Sequence, residues 1–357
     1  MNTDLDLSEL NLKIGQLFMA GIPGTCLDKG TKALIRDYNL GGVILFSRNI
    51  EDPVQVAELC RDIQNAALNY HGIPVFLSVD QEGGRVARLK EPFTVFPGNS
   101  AIGADIDPVG KAMEFGRTTA SEMKLVGLNM DLAPVVDVYR DKLDDHLKGR
   151  LFSKDPEEVS VLGKTVVKAL QENGIMAVAK HFPGLGQATT DPHFNLPRID
   201  ADENEIESIN LPPFKALIDE GVSGVMTSHA IYSSLDSQSP ATLSSVILTD
   251  LLRKKIGFKG LIITDDLEMG AIKKKWGVAE GALASFIAGA DLLLVCENQE
   301  RLLESISLVR KKVLQNQISV KRLQQSINRI MKAKRRFLKS RKTAQLKKVK
   351  EYFKLIA

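Results

Sequence analysis

Cysteine is scarce in this chain and is not placed for crosslinks or metal binding. There are three cysteines, Cys26, Cys60 and Cys296, an odd number scattered along the sequence. Disulfide scaffolds need paired cysteines, and zinc sites need closely spaced ones. We therefore expect no disulfide framework and no metal site, and a location in the reducing cytoplasm.

Long apolar runs are absent as well. The longest candidate, residues 281–296, is interrupted by Asp291, whereas a membrane-spanning helix needs about 20 mainly apolar residues. Residues 1–13 are acidic and lack the basic start and apolar core of a signal peptide. The sequence predicts a soluble, cytoplasmic protein without a membrane span.

One segment near the carboxyl end is strongly basic and contains no acidic residue. Residues 332–350 contain ten Lys and Arg, and without these ten the formal net charge of +3 would be −7. The segment could bind an anionic surface, either nucleic acid or membrane, or it could be a solvated terminal helix whose long side chains cover apolar surface. We favour the helix, because no aromatic-rich nucleic-acid motif accompanies the charge.

No linker rich in proline, glycine and serine and no internal repeat divides the chain. The apolar fraction of 44% and the charged fraction of 25% are those of a globular domain, which excludes a disordered or fibrous chain. We expect one main domain, residues 1–340, and a basic tail, residues 341–357. We also expect a monomer with no nucleic-acid partner.

Eight short apolar runs are continuous rather than alternating, which is typical of parallel strands buried on both faces. Amphipathic stretches of helical period separate most of them. This alternation predicts an α/β fold, a single-domain (β/α)8 TIM barrel, with a doubly wound open sheet as the alternative. The runs are residues 17–21, 42–46, 75–79, 130–136, 176–178, 224–226, 261–264 and 292–295.

Polar residues follow five of these eight predicted strands. A TIM barrel carries its chemistry at the carboxyl ends of its strands, although any single polar residue there could be a helix N-cap. The groups are residues 80–88 after the third strand, Asp137 after the fourth, Lys180 and His181 after the fifth, His229 after the sixth, and Asp265 and Asp266 after the seventh.

The densest polar stretch, residues 179–193, reads AKHFPGLGQATTDPH. Asp191 and His193 lie two residues apart in it, and a carboxylate beside an imidazole fixes its tautomer, which suits a general acid/base. An isolated Asp-x-His is more often a turn. A dinucleotide-binding GxGxxG motif is excluded, because Thr189 stands where the third glycine would be.

The pattern KHFPGLG-x4-DPH resembles the signature of glycoside hydrolase family 3, in the branch of the β-N-acetylglucosaminidases. Any one matching segment could be chance, but their occurrence in order along the predicted barrel is specific. The other segments are residues 14–18, 41–46, 80–85, 95–99, 129–135, 149–152, 226–229 and 263–269.

The resemblance implies a role for each matching residue. Asp265 would be the nucleophile, His193 the general acid/base peculiar to this branch, and Asp191 its partner. The strand pattern alone cannot choose between Asp265 and Asp266, because the strand is buried on both faces. The residues that match sugar-binding positions are Asp80, Arg88, Arg150, Lys180 and His181, and His229, in a motif near the same pocket, is a further substrate-binding candidate.

The resemblance further implies a retaining exo-β-N-acetylglucosaminidase that forms a covalent glycosyl-enzyme and needs no cofactor. Its substrate would be a glycan or muropeptide containing N-acetylglucosamine, with a role in peptidoglycan recycling. A β-glucosidase or β-xylosidase is disfavoured, because those branches usually take their acid from a second domain that we do not expect in 357 residues. A phosphorylase stays open, since an imidazole repels phosphate less than a carboxylate does.

Two positions depart from the family pattern. Pro192 stands where Ser or Thr is common, and Leu185 stands where the residue is often polar. Proline fixes φ and removes an N–H, so it would stiffen or redirect the loop, and a catalytically weak sugar-binding barrel is a further alternative. The segment 137–149 is also unusually charged, which leaves the identification of Arg150 open.

Overall fold

The computed structural model describes residues 7–140, 145–338 and 344–355. Eight parallel strands form a closed barrel, because β1 pairs with β2 on one side and with β8 on the other. This closure confirms the predicted TIM barrel and excludes the open doubly wound sheet. The strands are β1 (Phe18–Gly21), β2 (Gly42–Ile44), β3 (Phe76–Val79), β4 (Met130–Asp131), β5 (Met176–Phe182), β6 (Gly224–Thr227), β7 (Leu261–Asp266) and β8 (Leu292–Val295).

Helices surround the barrel and connect its strands. No helix of the described residues is both long and apolar enough to cross a bilayer. In chain order the helices are α1 (Leu7–Gly15), α2 (Lys29–Tyr38), α3 (Pro53–His71), α4 (Asn99–Gly103), α5 (Pro108–Leu125), α6 (Pro156–Glu172), α7 (Glu203–Glu205), α8 (Leu211–Asp219), α9 (Gly270–Lys273), α10 (Val278–Ala288), α11 (Gln299–Leu314), α12 (Val320–Phe337) and α13 (Leu346–Tyr352), with π-helical turns at Ile206–Asn210 and Val246–Lys255.

Two strands differ most in length from their sequence predictions. Strand β4 ends at Asp131 although the apolar run continues to residue 136, and Pro134 in that run has no N–H to donate to a strand ladder. Strand β5 continues to Phe182 through Lys180 and His181, which are both buried. A search for apolar runs misses the end of this strand, because Lys180 and His181 are polar residues although they are buried.

The long helices α3 and α6 begin in the same way. The Asp52 carboxylate accepts hydrogen bonds from the N–H groups of Val54 and Gln55, and the Asp155 carboxylate accepts one from Glu157. A proline occupies the first helical position after each aspartate, where its missing N–H has no intrahelical partner to lose. These N-caps define the residues at which α3 and α6 begin.

A fully buried carboxylate, Asp291, ties the last long helix to the barrel. It accepts hydrogen bonds from Ser326 at 2.6 Å and Arg329 at 3.0 Å, both on α12. It also pairs with Arg253 and accepts from the Ile262 N–H of β7 at 3.1 Å. Asp291 directly precedes β8, so this network lies at the amino end of the barrel, away from the strand ends that carry chemistry.

The described part of the basic tail packs on the barrel. In α13, Val349 is fully buried, and Phe353 just beyond it meets Phe93 edge-to-face at 4.8 Å. Of the ten basic residues in the segment 332–350, Lys339, Arg341 and Lys342 lie outside the described residues. The division of the chain at residue 340 remains a prediction.

Lys334 on α12 is a buried amine without a carboxylate partner among the described residues. Its Nζ donates to Gln16 Oε1 at 2.6 Å and lies 5.3 Å from the centre of the Phe76 ring. Burial disfavours the charged form and lowers the pKa of Lys334 to about 7. The folded protein therefore holds this proton less tightly than the unfolded chain does.

We predict that Lys334 makes the free energy of unfolding rise with pH. Its pKa increases from about 7 when folded to the ordinary 10.5 when unfolded, so stability is gained as the pH rises through that interval. Between pH 7 and pH 9 the gain should be about 2 kcal/mol. Urea denaturation should show this rise in the wild type and a smaller one in Lys334→Met.

The matched control is Lys332→Met, which removes an exposed lysine from the same helix. It should keep the pH dependence of the wild type. Identical pH profiles for Lys334→Met and Lys332→Met would contradict the prediction.

Candidate active site

The charged side chains that the sequence predicts for the site lie together at the carboxyl end of the barrel. Lys180 lies between two carboxylates, with its Nζ 2.7 Å from Asp80 Oδ1 and 2.7 Å from Glu82 Oε1. Arg88 donates to the other oxygen of Asp80 at 3.3 Å. Side chains that follow β3 and β5 therefore meet across the mouth of the barrel.

Glu82 joins Lys180 to Arg150 from a distant loop. The Arg150 Nε and Nη2 donate to the two Glu82 oxygens at 2.8 and 2.9 Å, a bidentate pair that is almost wholly buried. Burial would raise the pKa of Glu82, but the two cations outweigh it and hold that pKa well below its usual range. The carboxylates of Glu82 and Asp80 in turn outweigh desolvation and raise the pKa values of Arg150 and Lys180.

Asp137 fixes the orientation of His181. It lies fully buried after β4, and its Oδ2 is 2.8 Å from His181 Nδ1, so that nitrogen carries the proton. Its Oδ1 accepts the backbone N–H groups of His181 at 3.1 Å and Leu185 at 2.6 Å. The Leu185 side chain is buried in the apolar core. Leucine is therefore compatible with this site, because the contact with Asp137 uses only the backbone N–H of residue 185.

Asp265, near the end of β7, faces several basic side chains. Burial acts to raise the pKa of Asp265, but His229, His181, His193 and Lys180 outweigh it and keep that pKa below its ordinary value. The Asp266 N–H donates to Asp265 Oδ1 at 2.8 Å. Asp265 is thus an ionised carboxylate held in place by its own strand.

Asp266 is in a different environment from its neighbour. Its Oδ1 accepts the Glu268 N–H at 3.0 Å, a turn that precedes α9, whose N-cap is Met269 and not Asp266. Burial raises the pKa of Asp266 to about 7, and the charges of Glu268 and Asp265 act in the same direction. At neutral pH this side chain is about half protonated, in contrast to Asp265.

His229 is part of the wall of the site. Its Nε2 lies 3.0 Å from the Asp266 carbonyl oxygen, and its Nδ1 lies 2.7 Å from Thr242 Oγ1. Burial lowers the pKa of His229, and its Nε2 donates to the carbonyl oxygen, which can only accept. Both nitrogens are therefore occupied by protein partners.

The Asp191–His193 pair forms as the sequence predicts. The His193 Nδ1 and backbone N–H lie 2.7 and 2.9 Å from the same oxygen of Asp191, and since a carboxylate only accepts, Nδ1 carries the proton. Burial acts to raise the pKa of Asp191, but these two hydrogen bonds hold it below its ordinary value. The turn uses the N–H of residue 193 and not that of residue 192. Proline at position 192 therefore removes no hydrogen bond from this turn.

The loop that carries His193 is packed against the start of α9, directly after β7. The Gly270 N–H donates to the His193 carbonyl at 2.9 Å, and the Ala271 N–H donates to the Pro192 carbonyl at 3.1 Å. A Cβ on Gly270 would lie 2.4 Å from the Phe194 carbonyl oxygen. The absence of a side chain at Gly270 allows the loop to approach α9, just after the strand that carries Asp265.

Two carboxylates in this cluster were not assigned by sequence reasoning. Glu82 stands two residues after Asp80, a spacing that places both on one face of an extended segment, and this signal was available in the sequence. Asp137 was noted only as a polar residue at a strand end. Among the described residues, no three or more His, Cys, Asp or Glu side chains group as metal ligands.

Comparison with known proteins agrees with this geometry. The profile of the Glycosyl hydrolase family 3 N terminal domain matches residues 9–333. The chain belongs to this family. The resemblance that the motifs indicated is therefore confirmed, and the barrel is that of a glycoside hydrolase.

Relatives with curated names match most of the chain. A protein named Beta-hexosaminidase from Nitrosomonas eutropha is 35% identical over 287 residues, which are 79% of this chain and 81% of that protein. Beta-hexosaminidase A from Pseudoalteromonas piscicida is 36% identical over 287 residues, which are 76% of this chain. The match spans only 48% of that longer relative.

Solved structures resemble the barrel closely. The glycoside hydrolase family 3 β-N-acetylglucosaminidase from Paenibacillus sp. str. FPU-7 has a TM-score of 0.90 at 37% identity, covering 92% of this chain and 62% of that one. NagZ from Neisseria gonorrhoeae, solved with N-trifluoroacetyl-D-glucosamine, has a TM-score of 0.78 at 29% identity, covering 94% of this chain and 96% of that one.

We predict that Gly270→Ala releases the His193 loop from α9. The new Cβ would overlap the backbone of residues 193 and 194, so the hydrogen bonds from residues 270 and 271 to the loop should break. Hydrogen exchange at these two amides should accelerate about tenfold or more, while the melting temperature changes little.

The control is Gly24→Ala, since a Cβ at Gly24 would have no atom within 4 Å. It should leave exchange in the loop at its wild-type rate. Unchanged exchange at residues 270 and 271 in Gly270→Ala would show that the loop is not held by this contact.

Proposed function

We propose that this protein is a retaining exo-β-N-acetylglucosaminidase. The observation that carries the proposal is the attachment of the loop with the Asp191–His193 pair to α9, directly after the strand that carries Asp265, at the barrel end that holds the paired charges. Retaining hydrolysis needs such a carboxylate on one face of the sugar and a proton donor at the glycosidic oxygen. The names of the relatives and structural neighbours support N-acetylglucosamine as the sugar.

In the first step, a carboxylate oxygen of Asp265 attacks the anomeric carbon. The bond from that carbon to the glycosidic oxygen breaks, and protonated His193 gives its Nε2 proton to the departing oxygen. Asp191 keeps Nδ1 protonated and stabilises the imidazolium, without taking the proton itself. The products are a covalent glycosyl-enzyme and the free aglycone.

In the second step, neutral His193 acts as a base toward water. Its Nε2 takes a proton from a water molecule while the water oxygen attacks the anomeric carbon. The bond to Asp265 breaks and that residue returns to a carboxylate. Two inversions at one carbon give net retention.

The buried charges would hold the sugar. Asp80 is partly exposed, and its carboxylate, paired with Lys180 and Arg88, can accept from ring hydroxyls. His181 has its Nδ1 proton held by Asp137, which leaves Nε2 for the substrate. Glu82 anchors Lys180 and Arg150, so these cations are positioned before the sugar arrives.

We assign His229 to positioning rather than to sugar binding. Its two ring nitrogens bond Thr242 and the carbonyl of Asp266, and the N–H of the same residue bonds Asp265. The ring therefore fixes the strand end on which the nucleophile stands. This assignment refines the sequence expectation that His229 lies near the pocket.

The physiological substrate would be a muropeptide or another glycan with terminal N-acetylglucosamine. A role in peptidoglycan recycling, which the resemblance to the β-N-acetylglucosaminidase branch implies, is part of this proposal. The cytoplasmic location and the monomeric state remain predictions from the sequence.

The test of this function is a panel of 4-nitrophenyl β-glycosides. The N-acetylglucosaminide should be hydrolysed with a kcat/KM well above those of the glucoside and xyloside, and NMR of the first product should show the β-anomer. Phosphate should leave the rate unchanged, with no sugar phosphate formed. Hydrolysis of glucoside alone, or a phosphate-dependent rate, would replace the proposal by one of the alternatives from the sequence.

We predict that the two neighbouring aspartates differ sharply in importance. Asp265→Ala should lower turnover at least about a thousandfold, because the covalent bond cannot form. Asp266→Asn should keep substantial activity, because an amide resembles the protonated carboxyl of a group with a pKa of about 7 and retains an oxygen for the Glu268 N–H. A dead Asp266→Asn beside an active Asp265→Ala would reverse the assignment.

We predict that His193→Ala harms poor leaving groups most. A leaving group of high pKa needs the proton, so kcat/KM for the methyl glycoside should fall about 10²- to 10⁴-fold. For a 2,4-dinitrophenyl leaving group the fall should be less than about tenfold. Equal losses across a series of leaving groups would argue against proton donation by His193.

A further inference from the structure

A cavity lies at the opposite end of the barrel from the proposed active site. Its volume is about 420 Å³, which is within the range of sites that bind small organic ligands. Pro74, Leu128 and Gly174 line it, and these residues stand just before β3, β4 and β5. A ligand in this cavity would therefore lie at the amino ends of the strands and would not meet the proposed catalytic residues.

The described part of the basic tail closes one side of this cavity. Ala344, Lys348 and Tyr352 line it from the tail, opposite residues of α3 and α5. A Cβ on Gly127 would lie 3.1 Å from Cys60 Cβ and 3.6 Å from Ala344 Cβ, so the tail approaches the barrel closely at this point. The cavity is thus a gap between the barrel wall and the tail, and it is concave rather than flat.

Apolar side chains line much of the gap. Leu68 belongs to α3, Leu125 to the end of α5, and Phe337 and Leu338 to the end of α12. All four are only partly buried. Covering them with an alkyl group would be favourable by about 25 cal/mol for each Å² of apolar surface removed from water.

The charged residues that line the cavity are all basic. They are Arg61, Lys124 and Lys348, and no Asp or Glu of the described residues lines it. The Lys124 Nζ donates to the Asn173 carbonyl at 3.3 Å, and within the described part of the chain neither Lys124 nor Lys348 forms an ion pair. Both lysines are exposed, so the solvent side of an apolar gap carries uncompensated positive charge.

Two carboxylates lie close by without lining the cavity. Asp62 pairs with Arg61 at 3.1 Å and neutralises that side chain in part. Glu122 is buried and accepts hydrogen bonds from the Thr94 N–H and hydroxyl, and from the Tyr352 hydroxyl at 3.3 Å. The positive charge of Lys124 and Lys348 therefore remains available for a ligand.

We propose that this cavity binds an amphipathic anion with one alkyl chain, of the class of the free fatty acids. The chain would occupy the apolar gap, and the carboxylate would pair with the ammonium groups of Lys124 and Lys348. A single molecule fits a concave gap that the tail covers, whereas a helix that enters a bilayer presents a protruding apolar face. This site is separate from the proposed catalysis and does not depend on it.

The test titrates the full chain with three probes by calorimetry. Decanoate below its micellar concentration supplies both chain and anion, decyltrimethylammonium supplies the same chain with a positive charge, and acetate supplies the anion without the chain. Decanoate should bind once per chain and at least about tenfold more tightly than either of the others. Asp265→Ala should bind decanoate as the wild type does, because this residue lies at the other end of the barrel.

Substitutions in the cavity should weaken decanoate binding. Lys124→Gln and Lys348→Gln should each weaken it about three- to fivefold, with a smaller effect at high salt. Ala344→Phe should weaken it about tenfold or more, because the larger side chain would occupy the gap. The matched control is Lys347→Gln, which removes an exposed lysine of the same helix that does not line the cavity, and it should bind decanoate as the wild type does.

Three outcomes would overturn the proposal. Equal affinities for decanoate and decyltrimethylammonium would show that the site does not select an anion. Wild-type affinity in Lys124→Gln, Lys348→Gln and Ala344→Phe alike would place decanoate elsewhere. No binding of decanoate would exclude the site, and binding to phosphatidylglycerol vesicles in that case would assign the basic tail to a membrane surface. Melting temperatures within a few degrees of the wild type would confirm that each variant is folded.

Discussion

The site depends on a buried row of alternating charges, in which Lys180 pairs with Asp80 and Glu82, and Glu82 also pairs with Arg150. Each cation here is almost inaccessible to water, and an isolated buried charge would be very unfavourable. Every member is tolerated only because its neighbours neutralise it. Because each of these charges needs its partner, the ion pairs hold the ends of β3 and β5 and the distant Arg150 loop in one arrangement.

A second constraint is steric and concerns the catalytic loop. The backbone of residues 192–194 rests on Gly270, a position where any side chain would overlap it. This contact links His193, the proposed proton donor, to the segment that follows Asp265, the proposed nucleophile. Pro192, the clearest departure from the family pattern, is compatible with it, because the Asp191 turn uses the N–H of residue 193. The departure therefore gives no support to a catalytically weak barrel.

The two ends of the barrel have different physical tasks. At the amino end, Asp291 and Lys334 are buried and tie α12 to the strands, so substitutions there should change stability. At the carboxyl end, the charges are arranged around a partly open pocket, and substitutions there should change substrate binding and chemistry. The described part of the basic tail packs on α3, which agrees with a helix that covers apolar surface.

The sequence by itself determined the barrel and the family, and it named most residues of the proposed site. Continuous apolar runs mark strands buried on both faces, and the ordered family motifs point to Asp265, His193 and Asp191. The pattern could not show that Glu82 joins Lys180 to Arg150, or that His229 has both nitrogens occupied, because these contacts join residues far apart in the chain. It also could not show that Gly270 receives the catalytic loop. Such features depend on distances across the barrel, which only the folded chain defines.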